Sequence, residues 1–314
     1  MLNATVDDWP RFVERDRARA HLDRDGRPVT FDELLRIADP GVERYLTPES
    51  FAARHAQAQA GVARLADTLK RAALDALIVV GDDQKELFHE DNLPSLLIYR
   101  GRTIRNVLRL ASGPEWAQRA SARYYEVPLR DYPVDAALAS ALVEGLIDRE
   151  FDVAAAESLP DGQGEGHAFG FVHKRLMDGH VVPIVPVFLN TYYPPNQPTP
   201  RRCYHLGQAI REIVESYAGD ARVGVLASGG LSHFTLDEDL DRAVIRALSQ
   251  KDAAALQSLP RNKLNGGSSE IRNWICLAGA AERLTLDWVD YVPGYRTRAG
   301  TGTGLCFATW SPAA

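Results

Sequence analysis

The 314-residue chain is poor in cysteine, in long apolar runs and in net basic charge, and each shortage excludes a class of protein. Its three cysteines are odd in number and form no CxxC pair, so neither a disulfide framework nor a zinc knuckle is expected. The longest apolar stretches, such as 184–189, are too short to span a bilayer. A net charge of -6 argues against a nucleic-acid-binding surface, and the first residues do not have a signal-peptide pattern. We therefore expect a soluble cytoplasmic protein with no nucleic-acid or membrane partner.

Basic residues gather near the N-terminus but alternate there with acids, a pattern that indicates a solvated helix face. The basic ones are Arg11, Arg15, Arg17 and Arg19, and the acids between them are Glu14 and Asp16. We expect residues 1–45 to form an irregular, partly helical N-terminal segment. Residues 46–314 are expected to form the catalytic domain.

Strand and helix signals alternate along the rest of the chain. This alternation predicts an α/β fold with one domain, in which helices flank a mostly parallel central sheet. The prolines at 183 and 186 favour an edge or bulge position for their strand. The last segment, 288–310, reads as a strand or loop. Predicted strands are 76–80, 95–99, 181–189 and 222–226; predicted helices are 9–22, 47–73, 135–147, 202–218, 237–249 and 268–280.

Polar or glycine-rich residues follow three of the predicted strands, at 81–84, 190–191 and 228–233. In open α/β sheets, ligands bind beyond the carboxyl ends of the strands. We therefore expect one cleft there, formed by Asp83 together with three residues from later segments, His167, His233 and Glu270.

Each of those three later residues has a functional and a structural interpretation. His233 ends the GGLSH segment and could transfer a proton, or it could be an exposed histidine after a glycine turn. Glu270 could bind a metal, or its carboxylate could simply stabilise a helix start. His167 lies among aromatic residues that suit a planar substrate, although isolated histidines are commonly structural. Two histidines and one carboxylate are the facial-triad pattern of iron(II) oxygenases.

Five segments in order resemble the class III extradiol ring-cleavage dioxygenases of the LigB superfamily, which includes the catalytic subunit of protocatechuate 4,5-dioxygenase. The N-terminal part is similar to the 3-O-methylgallate-type branch. The resemblance covers about residues 75–310. It rests on IVVGDD (78–83), GHAFGF (166–171), VPVFLNTYYPPNQPTPRRCYHLGQAI (185–210), GVLASGGLSHF (224–234) and NGGSSEIRNWI (265–275).

The resemblance implies an Fe(II) cofactor, with O2 and a small aromatic acid of the gallate, methylgallate or protocatechuate class as partners. It makes His233 the acid/base, His167 a pocket histidine and Glu270 an iron ligand. We expect the side chains of His233 and Glu270 to lie about 4–8 Å apart around the metal. The ring walls would be Phe169, Phe171, Tyr192 and Tyr193.

Two positions depart from the family pattern. Gln84 stands where the family has its second iron-ligand histidine, and His89 is the nearby substitute. In the family, the first iron-ligand histidine lies in a Ser-His-x-Pro segment at the end of the first strand. Here that segment would end just before Met1. We therefore expect the in-frame codons upstream of Met1 to encode a short apolar strand followed by Ser-His-x-Pro.

These departures leave two other functions open. One is a metal-free binding or scaffold protein of the Memo type, and the other is a divalent-metal hydrolase. The sequence also leaves open the substrate, the cleavage position and a homo-oligomeric state.

Overall fold

The computed structural model describes residues 1–109, 113–217 and 219–312. The α-helices are α1 Phe12–Ala18, α2 Phe31–Ile37, α3 Pro48–Ala72, α4 Glu115–Ala122, α5 Ala136–Ile147, α6 His167–Phe171, α7 Pro200–Ser216, α8 Glu238–Gln250, α9 Ala253–Gln257 and α10 Ile271–Ala280. The strands are β1 His21–Leu22, β2 Pro28–Val29, β3 Ala76–Gly81, β4 Leu96–Tyr99, β5 Thr103–Asn106, β6 Arg130–Pro133, β7 Ala154–Ala156, β8 Ile184–Leu189, β9 Val223–Ala227, β10 Thr285–Tyr295 and β11 Gly302–Ser311. Tighter 3-10 turns occupy Val6–Arg11, Pro40–Tyr45, Arg261–Lys263 and Gly266–Glu270, and a π-helix continues α6 over Val172–Met177.

A five-stranded sheet in the order β7-β4-β8-β3-β9 forms the centre of the described chain. Strand β3 is parallel to β8 and β9, and β4 is parallel to β7 but antiparallel to β8. Every residue of β3 and β8 is buried, as expected for strands that helices cover on both faces. The predicted α/β fold with a mostly parallel sheet is confirmed.

Strand β8 lies inside this sheet, so the edge position predicted from its prolines is wrong. Its pairing with β4 runs only from Leu189 to Val187, opposite Leu96 to Ile98. Pro186 lies one residue beyond that ladder, where the absence of an N–H group removes no hydrogen bond to β4. The sequence of β8 shows that Pro186 has no N–H group to donate. It does not show that β4 ends before it reaches Pro186, and this is why the edge prediction failed.

The long helices begin where side-chain caps predict. The Thr47 hydroxyl accepts a hydrogen bond from the Ser50 amide at 3.2 Å, and Pro48 occupies the first turn of α3. Asp135 accepts from the Leu138 amide at 2.9 Å and starts α5. The predicted last residue of α7, Ala218, lies outside the described residues. None of the described helices is both long enough and apolar enough to cross a bilayer.

The N-terminal segment is more tightly integrated than its charge pattern predicts. The predicted helix 9–22 is a 3-10 turn followed by α1, and it ends before β1. Trp9 and Phe12 share an apolar core with β3. The Asp16 carboxylate is fully buried and ion-paired with Arg296 at 2.7 Å, so this helix face is not solvated. The boundary at residue 45 stays a prediction.

The C-terminal segment is a long antiparallel hairpin of β10 and β11, paired from Thr285 with Ser311 to Tyr295 with Gly302. The sequence predicted only a strand or loop here. The hairpin packs against α3 through contacts such as Phe307 on Gly61, and its turn brings Arg296 towards α1.

Candidate active site

Three potential metal ligands converge at the carboxyl ends of the central strands. Asp82 follows β3 directly, His167 is the first residue of α6, and Glu270 immediately precedes α10. One potential ligand atom from each lies within 4.8 Å of the others. Asp82 is buried, and neither of its carboxylate oxygens has a hydrogen-bond partner within the described residues. Unpartnered buried oxygens beside an imidazole and a second carboxylate fit a divalent first-row metal ion.

Glu86 fixes the orientation of His167. Its Oε2 lies 2.8 Å from Nδ1 of the ring and accepts the His167 backbone N–H at 3.0 Å. This contact assigns the proton to Nδ1 and leaves Nε2 directed towards the cluster, as is common for metal-binding histidines. Burial alone would lower the pKa of His167, but the charges of Glu86, Asp82 and Glu270 outweigh burial and raise it to about 10.

Glu270 is the most heavily bonded group of the cluster. Its Oε2 accepts the Gly230 backbone N–H at 2.7 Å, and its Oε1 lies 3.1 Å from both His233 Nε2 and Gln84 Nε2. The amide of Gln84 also approaches His167 Nε2 at 3.5 Å. Gln84 therefore lies beside the cluster, where its amide donates to Glu270.

His233 has a hydrogen-bond acceptor at each ring nitrogen. Nδ1 lies 2.8 Å from the Leu231 carbonyl, and Nε2 faces Glu270. Burial acts against the charged ring, but Glu270 and this carbonyl together raise the pKa of His233. At 3.1 Å, the His233–Glu270 pair is closer than the expected 4–8 Å because the two side chains bond to each other directly.

A cavity of about 1310 Å³ opens in front of these groups and continues along β9. Phe171, Tyr124 and Tyr192 line it beside the cluster. The Tyr192 hydroxyl has no hydrogen-bond partner within the described residues, and its pKa is raised by burial and by the charges of Glu270 and Asp82. Tyr124 contacts the His167 ring edge-on, with centroids 5.8 Å apart. These aromatic walls suit a planar ligand that presents polar groups to the cluster.

Residues 55–305 match the family described as the catalytic LigB subunit of aromatic ring-opening dioxygenase. The chain belongs to this family. It is 37% identical over 101 residues to a gallate dioxygenase of Pseudomonas putida, covering 31% of this chain and 28% of that protein. It is 30% identical over 117 residues to a 2,3-dihydroxyphenylpropionate/2,3-dihydroxicinnamic acid 1,2-dioxygenase of Comamonas testosteroni, covering 37% of this chain and 35% of the relative. Each alignment spans about a third of the relative's length.

Within this LigB-family chain, His89 lies away from the cluster that it was predicted to join. His89 is exposed. The loop before it is fixed by the Asp83 carboxylate, which accepts the Leu87 and Phe88 backbone N–H groups at 3.0 Å each. Asp83 therefore organises the loop, and its neighbour Asp82 faces the cavity instead. Adjacent residues after a strand point in opposite directions, so the sequence could not distinguish the two aspartates.

Two of the predicted ring-wall residues also lie elsewhere. Phe169 is fully buried beneath Gly81 and packs on the Phe188 ring, with centroids 4.5 Å apart. Tyr193 is half-buried outside the cavity, with the Lys85 ammonium 4.4 Å from its ring centroid. Phe171 and Tyr192 do line the cavity.

The sequence reasoning missed Glu86 and Tyr124. Glu86 lies four residues after Asp82 in GDDQKE. A further carboxylate in the loop after β3 was therefore the signal that could have identified it. Tyr124 precedes β6 in a segment without a motif, and only the fold brings it to His167.

Proposed function

We propose that this LigB-family chain is an Fe(II)-dependent extradiol dioxygenase that opens the ring of a small hydroxylated aromatic acid. The observation that carries the proposal is the convergence of Asp82, His167 and Glu270 within 4.8 Å at one end of the sheet. Family membership supports ring opening, and the relatives named for gallate and dihydroxyphenylpropionate support an aromatic diol with a carboxylate.

The residues that would hold the metal are Asp82, His167 and Glu270. Together they offer two carboxylates and one imidazole, which compensates for an amide at position 84. The chemistry that bound Fe(II) supplies is the coupling of an electron-rich aromatic diol to dioxygen at one centre. Asp82 and Glu270 would balance the charge of the ion, and Glu86 would keep the Nε2 atom of His167 directed towards it.

His233 is the proposed acid/base. Its Nδ1 is fixed by the Leu231 carbonyl, so Nε2, whose partner is Glu270, is the nitrogen that would exchange a proton once Glu270 binds the metal. That nitrogen faces the Glu270 carboxylate at the cavity wall, where a ring hydroxyl of the substrate would approach. We propose that Nε2 accepts the hydroxyl proton and later returns it to the ring-opened product. Tyr124, Phe171 and Tyr192 would confine the ring beside it and exclude water.

The test separates metal binding from proton transfer. Glu270→Gln keeps the shape of the side chain but removes its charge, so we expect Fe(II) occupancy to be lost. His233→Gln should retain the iron but lower turnover by about 10²–10⁴-fold, since general acid–base catalysis contributes that much. Iron per chain after anaerobic reconstitution and desalting gives the first quantity. Oxygen uptake with gallate and protocatechuate gives the second.

His180→Gln is the matched control, because His180 is exposed and does not line the cavity. Equal loss of iron from both site variants would contradict the separate roles. Reconstituted wild-type protein that consumes no oxygen with any aromatic diol would contradict the proposed reaction.

A further inference from the structure

One wall of the cavity is cationic. Arg15 and Arg19, on and just after α1, line the cavity together with Arg296 from the C-terminal hairpin. Of these three arginines, Arg296 has a carboxylate partner. Its guanidinium donates two hydrogen bonds to Asp16, at 2.7 and 3.0 Å. Within the described residues, the guanidinium groups of Arg15 and Arg19 form no hydrogen bond and no ion pair.

Aromatic rings support both of these free guanidinium groups. The Arg19 guanidinium carbon lies 3.4 Å from the Phe234 ring centroid, and that of Arg15 lies 4.7 Å from the Phe12 centroid. Stacking occupies the flat face of a guanidinium and leaves its N–H edge available for a planar anion. Two arginines in this state present the donor geometry that a carboxylate accepts.

The arrangement is electrostatically incomplete. Burial and the neighbouring charges of Arg296 and Arg19 lower the pKa of Arg15 to about 10. A bound anion would relieve this repulsion. The Asp16 carboxylate offsets this repulsion only in part, because it is bonded to Arg296 and to the Thr301 hydroxyl.

The same cavity is lined by the carboxylates Asp82, Glu86 and Glu270 and by two tyrosines, Tyr124 and Tyr192. The pKa of Tyr124 is raised to about 12 by burial, by Glu86 and by Glu270, and Arg15 acts on it in the other direction. Burial and the charges of Glu270 and Asp82 raise the pKa of Tyr192, and the charge of Arg19 acts in the other direction. Carboxylates and arginines therefore act on the same two tyrosines, so a ring bound beside them would have both the metal cluster and the cations near it.

We propose that Arg15 and Arg19 bind the carboxylate of the aromatic substrate and so select acids over neutral diols. The inference rests on the proposed function for the position of the ring, and it adds the residues that determine substrate class. It gives the N-terminal segment a direct part in recognition.

The test measures binding to metal-free protein, so it does not depend on turnover. The probes are 3,4-dihydroxybenzoate and 3,4-dihydroxybenzamide, which have similar shape but differ in charge. We expect wild-type protein to bind the acid about 10- to 100-fold more tightly than the amide, the range of one or two charge-assisted hydrogen bonds. Arg15→Gln and Arg19→Gln should each reduce that ratio, and the double variant should bring it close to one.

Arg17→Gln is the matched control, because Arg17 is on the same helix but does not line this cavity. The conservative pair Arg15→Lys with Arg19→Lys should retain most of the preference for the acid, which separates loss of charge from damage to the fold. A wild-type ratio near one, or an unchanged ratio in the double glutamine variant, would overturn the proposal. Selective binding without ring cleavage by the iron-loaded protein would support this subsite and refute the proposed reaction.

Discussion

At the scale of single residues, Asp82 is a carboxylate held where ionisation is costly. Burial and the charge of Glu270 raise its pKa to about 7, above the usual 3.8. In metal-free protein between about pH 4 and 7, the unfolded chain has lost this proton while the folded chain still holds it. Stability therefore falls as pH rises through that window, and a bound cation would stabilise the ionised form again.

Asp82→Asn removes this ionisation and should stabilise the metal-free protein more at pH 8 than at pH 5, by about 2–3 kcal/mol. Urea unfolding in the presence of a chelator measures both values. The same variant should lose the stabilisation that Fe(II) gives to wild-type protein. An equal effect of the substitution at the two pH values would show that Asp82 does not carry the raised pKa.

The sequence pointed to some residues of the candidate site because their local setting is distinctive. His233 and Glu270 lie in glycine-containing segments at a strand exit and a helix start, and the structure brings them to 3.1 Å. His89 was misassigned because the direction of its loop depends on the Asp83 carboxylate and two backbone amides. Arg15 was interpreted as solvated because alternating charge does not reveal which side of a helix meets a cavity.

At the scale of secondary-structure elements, the 3-10 turn Gly266–Glu270 packs tightly against the loop that carries His233. A Cβ atom added at Gly267 would overlap both the His233 ring and its backbone carbonyl oxygen. The turn and the loop can therefore approach only because residue 267 has no side chain. Their contact sets the position of the proposed acid/base relative to Glu270.

Gly267→Ala should force these two elements apart, lower stability by about 1–3 kcal/mol and reduce turnover. Thermal unfolding and oxygen-uptake rates measure the two effects. Gly41→Ala is the control, because the atoms nearest to its added methyl belong to the exposed Asp39 side chain, at 3.1 Å. Unchanged stability and turnover in Gly267→Ala would mean that the turn and the loop are not in tight contact in solution.

The sequence predicted elements well where a cap or an apolar run is complete within a few residues. Thr47, Asp135 and the run before Gly81 gave bounds within two residues of those observed. The β10–β11 hairpin was missed because its strands are only partly buried and show no clean alternation. Pairing between them depends on contacts that no single strand encodes.

At the scale of the whole molecule, the buried Asp16–Arg296 pair joins α1 to the C-terminal hairpin across 280 residues of chain. Burial would raise the pKa of Asp16, but Arg296 and the Thr301 hydroxyl lower it below the usual 3.8. The stabilisation from this pair is therefore present at neutral pH and is lost as pH falls below about 4.

Asp16→Asn leaves the Arg296 charge buried without its counter-ion, so we expect a loss of about 3–5 kcal/mol in the free energy of unfolding. Urea unfolding at pH 7 provides the measurement. The double variant Asp16→Leu with Arg296→Met should lose less, because it leaves no unpaired charge. A double variant as unstable as the single one would argue that packing, rather than charge, makes this junction stable.

Strand β9 has consequences for handling the protein in solution. Within the described residues it pairs only with β3, and its other side faces the cavity. The Ser228 amide bonds to the Val80 carbonyl, so by alternation the amides of Val223, Val225 and Ala227 point away from the sheet. Identical apolar edges on separate molecules can pair with each other, and such encounters increase steeply with concentration. We therefore expect dilute storage, or a charged residue introduced at this edge, to help keep samples monodisperse.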